Sequence, residues 1–249
     1  MRKREIFLAM MVILFLWYIF SYILNRPILP YPHQVFSVFF QELFHELGKH
    51  LVASSLRVLL SIVIGILTAS PLGIILGQSQ KLDKIFVPFI YLLYPIPKVV
   101  FVPLVVLFFG LGEFPKILII YVIIFFQIVV LVRDQSKTLR PELILSVKSL
   151  GAGRRALFRF VYLPSTLPAI FTAIRQSTGT AIAVLYLTEL FGTKYGLGYY
   201  IFLTGSTLLD YPSMYAGILA MSLLGLGIYL GIEFLQKRLC PHLFIEIPH

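Results

Sequence analysis

The sequence predicts an all-α, polytopic membrane protein with about six transmembrane helices. Three observations point there. Of its 249 residues, 59% are hydrophobic and 13% charged, and the mean hydropathy is +0.91. Soluble domains hold about 45–50% apolar and about 25% charged residues, so this pool cannot build a water-facing surface. The apolar residues gather in runs near the ~20 needed to cross a bilayer. The basic residues gather between alternate runs, as cytoplasmic loops do. These features exclude an ordinary soluble enzyme, a disordered chain and a fibrous one. The single cysteine, Cys240, excludes an internal disulfide framework.

The first run, residues 6–24, is longer than a signal-peptide core and leads into Asn25-Arg26-Pro27 instead of a small-x-small cleavage site. It predicts a retained first span. Residues 25–50 are too polar to cross. Within them, Val35, Phe36, Phe39, Phe40, Leu43, Phe44 and Leu47 recur at helical spacing, which predicts one amphipathic surface helix over 34–47. His45 and His50 lie five residues apart, so on a helix their imidazoles diverge by roughly 140° and no zinc site is expected.

The second span, residues 51–77, carries Ser61, Gly65, Ala69, Gly73 and Gly77 at strict four-residue intervals. Small residues at that spacing make a flat ridge for a neighbouring helix. The third span, 85–109, is interrupted by Pro88, Pro95, Pro97 and Pro103. The fourth covers 114–132. A basic stretch, 133–164, separates it from the fifth span at 165–190. A glycine-rich segment, 191–212, precedes the sixth span at 214–235.

With six spans, fourteen of the 21 basic residues fall on one side, four on the other and three within spans. This bias predicts a multi-pass membrane protein with both termini cytoplasmic. It also accounts for the +10 net charge without nucleic acid. The three residues within spans are Arg57, Lys98 and Arg175. Ionisable groups at that depth are functional candidates. Lys98, in the proline-broken span, and the stripe Thr172, Arg175, Gln176 and Gly179 are candidates for the translocation path. Three cations at depth suit an anionic solute.

The basic stretch is the most informative. Residues 142–150 suit a short helix, Gly151 and Gly153 a turn, and 154–162 a second short helix, with Pro164 opening the next span. Gly151, nine residues, Val161, one residue, then Leu163-Pro164 resembles the signature loop of ABC importer permeases, Glu-Ala-Ala-x3-Gly-x9-Ile-x-Leu-Pro. Lys148-Ser149-Leu150-Gly151-Ala152 is similar to the Arg-Ser-Leu-Gly-Ala of the nitrate/sulfonate/taurine group. Tyr94-Pro95-Ile96-Pro97, Phe109-Gly110-Leu111-Gly112-Glu113, Glu189-Leu190 and Gly196-Leu197-Gly198-Tyr199 resemble further pieces of that group in the same order. There is one departure. Leu145, Ser146 and Val147 occupy the Glu-Ala-Ala positions, and the nearest acid, Glu142, sits one helical turn earlier.

The resemblance implies that 142–153 is a cytoplasmic coupling helix. It further implies that the chain partitions into an N-terminal span and surface segment (1–50), a permease core (51–239) and a cytoplasmic tail (240–249). The chain lacks the Gly-x4-Gly-Lys-Ser/Thr phosphate loop, so ATP and Mg would be bound by a partner ATPase and no cofactor by this chain. The other implied partners are an external substrate-binding protein, a second permease copy and the lipid bilayer, and the implied location is a bacterial-type inner (plasma) membrane. The solute would be a small one such as a sulfonate, nitrate, bicarbonate or a vitamin precursor. A secondary transporter driven by an ion gradient would need an acidic residue at mid-membrane. An integral-membrane enzyme would need clustered His, Asp or Glu. Neither pattern stands out.

Overall fold

The computed structural model describes residues 3–241. Met1, Arg2 and the tail from residue 242 lie outside the described residues. Among the described residues the chain is helix and connecting turns, with no strand. Five helices are long and apolar enough to cross a membrane: α1 (Lys3–Leu24), α3 (Glu46–Gln78), α6 (Glu113–Lys137), α9 (Leu163–Glu189, extended by the turns before it) and α11 (Tyr211–Leu239). The pair α4 (Gln80–Leu93) and α5 (Val102–Phe109), joined by a 3-10 turn at Lys98–Phe101 and bent by 79°, makes a sixth candidate if the two halves are one broken span. The break falls at Tyr94-Pro95-Ile96-Pro97, where two residues lack an N–H to continue the helix. Shorter helices are α2 (Pro32–Glu42), α7 (Pro141–Ser149), α8 (Arg154–Leu157) and α10 (Leu197–Phe202).

Two expectations are corrected. The surface helix predicted over 34–47 ends at Glu42 in a tight turn, His45 N–H to Glu42 carbonyl at 3.0 Å, and α3 starts at Glu46. A Cβ on Gly48 would stand 2.1 Å from the Leu43 carbonyl oxygen, so the turn fits only against a glycine. The second short helix and the fifth span, predicted as separate, form one helical run from Arg154 to Glu189. A π-turn at Phe158–Tyr162 joins them, with Leu163 N–H donating to the Phe158 carbonyl. The widened turn carries the helix past Pro164, which has no N–H to offer.

The described residues form two compact units, one up to Ser55 plus Glu189–Leu224, the other Leu56–Thr188 plus the residues from Gly225. In the first, α1 is tied to the loop before α2: Trp17 Nε1 donates to the Pro30 carbonyl (3.2 Å) and Ser21 Oγ lies at 2.8 and 2.9 Å from the carbonyls of Leu29 and Pro30. The start of α10 is held by side chains. Gly196 N–H donates to His50 Nδ1 (2.9 Å), Leu197 N–H to Ser54 Oγ (2.8 Å) and Gly198 N–H to the buried carboxylate of Glu189 (2.7 Å). Ser54 Oγ in turn donates to that carboxylate at 2.7 Å. Three backbone donors at a helix start, which have no partner inside the helix, are thereby satisfied.

In the second unit, α3 and α6 run side by side in the same direction. Ser61 Oγ donates to the Ile117 carbonyl at 3.0 Å. A Cβ added at Gly65 would sit 3.1 Å from Ile124 Cγ2, at Gly73 2.9 Å from Val132 Cβ, and at Gly77 2.6 Å from the Arg133 carbonyl oxygen. Ala69, between them, is fully buried. Ions fasten both ends. Arg57 forks onto Glu113 with Nε–Oε2 at 2.5 Å and Nη2–Oε1 at 2.7 Å. At the far end Asp83 receives Arg133 through two bonds (2.6 and 3.0 Å) and Lys137 through one (2.6 Å).

Candidate functional site

The helix break shapes a cavity of about 420 Å³ in the second unit, between the α4–α5 turn, α6 and α9. Two of the residues read from the sequence as path candidates, Lys98 and Gln176, line it. Lys98 stands at the start of the 3-10 turn and reaches back to the end of α4. Its Nζ donates to the Leu93 carbonyl at 3.0 Å, which also accepts the Ile96 N–H, and to the Tyr94 carbonyl, so it adds donors where Pro97 has no N–H to give. The same ammonium lies 5.3 Å from the Tyr94 ring centre and 4.9 Å from that of Phe126. Such contacts favour a cation over an aromatic face.

Across the cavity runs a polar chain. Tyr94 Oη donates to Gln127 Oε1 at 2.6 Å, and Gln127 Nε2 donates to Gln176 Oε1 at 3.0 Å. It links the broken span to α6 and α9. Ser177 and Thr180 add hydroxyls to a lining that is otherwise apolar, and no carboxylate takes part. A mostly apolar, partly open cavity of this size with a few convergent polar groups resembles the usual form of a small-molecule site. Broken helices at such sites supply free backbone groups.

The other path candidates lie elsewhere. Thr172, one turn before Gln176, lines a separate recess with Asp134, Gln135 and Thr138. The guanidinium carbon of Arg175 lies 6.0 Å from the Tyr229 ring centre on α11. Gly179 faces open space, with no atom within 4 Å of where a Cβ would stand. Sequence reasoning missed Tyr94 and Gln127 as lining residues. Gln127 carried a usable signal, being the lone polar side chain between Tyr121 and Arg133.

The second candidate is the loop between α6 and α9. α7 buries none of its nine residues. Leu143, Leu145 and Leu150 are 51%, 61% and 85% exposed. Glu142 sits in the first turn of α7, with Ser146, Val147, Lys148 and Ser149 following on the same short helix. Gly151 has φ +80°, a left-handed conformation that ends the helix. Ala152 follows, and Gly153 caps α8. Val161 in the π-turn is buried, and Leu163-Pro164 begin α9. The loop is thus an uncovered apolar knob with a basic rim, attached by an unbroken helical run to the residues of α9 that line the cavity.

A family model described as the binding-protein-dependent transport system inner membrane component matches residues 50–243. The chain is 35% identical over 195 residues to the taurine transport system permease protein of Escherichia coli strain K12, covering 78% of this chain and 70% of that one. It is 30% identical over 240 residues to the formylaminopyrimidine transport permease protein of Halalkalibacterium halodurans, covering 94% and 93%. It is also 27% identical over 218 residues to the putative aliphatic sulfonates transport permease protein of Bacillus subtilis strain 168, covering 87% and 79%. Among solved structures, the MetNI methionine ABC transporter in an inward-facing form aligns with a TM-score of 0.65 at 18% identity, over 79% of this chain and 97% of that chain. A bacterial ABC transporter that imports alginate aligns at 0.57 and 20%, over 96% and 97%. These two likenesses concern the fold alone.

Proposed function

The chain belongs to the family of binding-protein-dependent transport system inner membrane components, the membrane-spanning permeases of ABC importers, and from that premise we propose how it is driven. An ATPase subunit docks on α7 and the Gly151–Gly153 turn from the cytoplasm, and holds the ATP and Mg. The observation that carries this is the set of uncovered leucines at 143, 145 and 150, on and just after a helix none of whose residues is fully buried. Large apolar side chains left uncovered along a loop outside the spans mark a candidate partner surface.

The route of the motion follows from the backbone. From Arg154 to Glu189 the helix is continuous over 36 residues, through the π-turn. A displacement of the loop is therefore carried into α9, and with it Gln176 and Thr180 in the cavity wall. Closure of the ATPases drives transport only if it favours one arrangement of α9 over another. Two permease copies complete the passage, an external binding protein delivers the solute to the loops around 25–50 and 191–212, and both termini lie in the cytoplasm. The solute is small and polar, in the range spanned by taurine, aliphatic sulfonates and formylaminopyrimidine, the names its relatives carry. Glu142 takes the place of the acid that the family signature has at position 145.

Gly151→Asp tests the docking. The variant inserts into the membrane at the level of the parent but no longer retains the ATPase through affinity purification. Retention at the parent level would show that the ATPase docks elsewhere.

A further inference from the structure

We propose that Lys98 makes the cavity behind the helix break selective for an anionic group on the transported solute, an inference that rests on the permease reading and assigns its solute class. An ammonium has three N–H groups. Lys98 commits two, to the carbonyls of Leu93 and Tyr94, and keeps a third. The end of α4 contributes at most about half a negative charge, so the ammonium is not neutralised there. Its other neighbours are the rings of Tyr94 and Phe126, which carry no charge. The residues that line the cavity include no Asp or Glu. The cavity therefore holds one uncompensated positive charge in mostly apolar walls.

The amides point the same way. The chain from Tyr94 Oη through Gln127 to Gln176 uses the acceptor oxygen of each glutamine. It ends on the Nε2 of Gln176, a donor with no further partner among the described residues. Lys98 and Gln176 thus offer donors to one space and few acceptors. An anion with several oxygens, such as a sulfonate or carboxylate, fits that surplus. A charge-assisted hydrogen bond is stronger and shorter than a neutral one. A cation is repelled, and a neutral heterocycle leaves the charge unused. The proline break gives this charge a fixed place. Lys98 is held against the carbonyls that the break itself exposes, so it does not need to reorganise when a solute arrives.

The test uses the importer assembled with its ATPase, in membrane vesicles. Cys240→Ser removes the one native cysteine and Thr180→Cys places a thiol on the cavity wall. Its reaction is timed with a sulfonate-bearing and with a trimethylammonium-bearing methanethiosulfonate. The sulfonate reagent reacts faster relative to each reagent's rate with a free thiol. Lys98→Gln lowers that relative preference roughly tenfold, the scale on which a charged cleft concentrates ions, and Lys98→Arg keeps it. A preference unchanged in Lys98→Gln overturns the proposal. So does a thiol that neither reagent reaches, and in that case ATPase retention still reports separately on the permease reading. Should Lys98→Gln fail to accumulate, Gln176→Leu decides. It leaves the break intact and weakens protection of the thiol by ethanesulfonate several-fold, and undiminished protection counts against the site.

Discussion

Glycines 73 and 77 on α3 and glycines 151 and 153 in the loop after α7 do opposite things. The first pair is there for the neighbour. A Cβ at Gly77 would stand 2.6 Å from the Arg133 carbonyl oxygen and from Ser136 Cβ, and one at Gly73 3.0 Å from the Val129 carbonyl oxygen. The second pair touches nothing; a Cβ at either has no atom within 4 Å. One region is closed by its own chain, with backbones in contact and ion pairs at both ends. The other is open and leaves leucines uncovered. A permease needs both, because a lever works only if its pivot is stiff and its handle is free to be grasped. At Gly73 and Gly77 the neighbouring helix leaves no room for a side chain; at Gly151 and Gly153 room is left open.

The largest break in that contrast comes from Asp83. Its carboxylate is little exposed and takes both the Arg133 fork and Lys137. Asp83→Ala takes from the little-exposed Arg133 guanidinium one of its two acids, leaving only Asp134, and costs up to about 3–5 kcal/mol. The expected result is a sharp fall in the thermal midpoint of the purified protein, with loss of the α4–α6 attachment read as faster proteolysis near residue 79. A midpoint within a degree of the parent would show that the pair is not part of the stiff region. Gly77→Val comes next. The atoms it meets are backbone and Ser136 Cβ, which cannot swing away, so α3 and α6 must separate. Overpacking of this kind costs about 1–3 kcal/mol. The same substitution at Gly227, where a Cβ has no atom within 4 Å, is the matched control, and equal losses at both would refute the ridge.

These two regions were unequally legible. The ridge could be read because one spacing, four residues repeated from Ser61 to Gly77, has one geometric meaning on a helix. The break could be read because Pro95 and Pro97 have no N–H. Helix periodicity also located the surface-exposed α7. The ion pairs could not be read. Asp83 and Arg133 are 50 residues apart, and Arg57 and Glu113 are 56 apart. Nothing in a linear pattern says which distant charge an arginine will meet. Arg133 and Lys137 were counted as loop charges, yet both lie within the last turns of α6. Residues at the end of an apolar run look alike whether they snorkel to water or fold back onto an acid. The cavity was half legible. Lys98 and Gln176 announce themselves as polar groups at depth, but their meeting depends on the 79° bend, which proline permits without setting its angle.

The finest test lies inside the open region, between two glycines two residues apart. Neither Gly151 nor Gly153 meets a neighbour, so adding a methyl group probes backbone conformation alone. Gly151 has φ +80°, where an L side chain crowds its own carbonyl, and Gly151→Ala costs roughly 1 kcal/mol. Gly153 has φ −75° and ψ 177°, a conformation open to any residue. There, alanine loses a little as a helix cap and regains it by restricting the unfolded chain, so stability should hold to within about 0.5 kcal/mol. Thermal unfolding of the two variants side by side measures this difference. Gly153→Ala then separates two reasons for a glycine in an uncovered loop. If it unfolds like the parent but loses its ATPase, the missing side chain makes room for the partner's surface. If it keeps the ATPase, Gly153 serves only to start α8, and the space needed for docking lies with Gly151 and the leucines of α7.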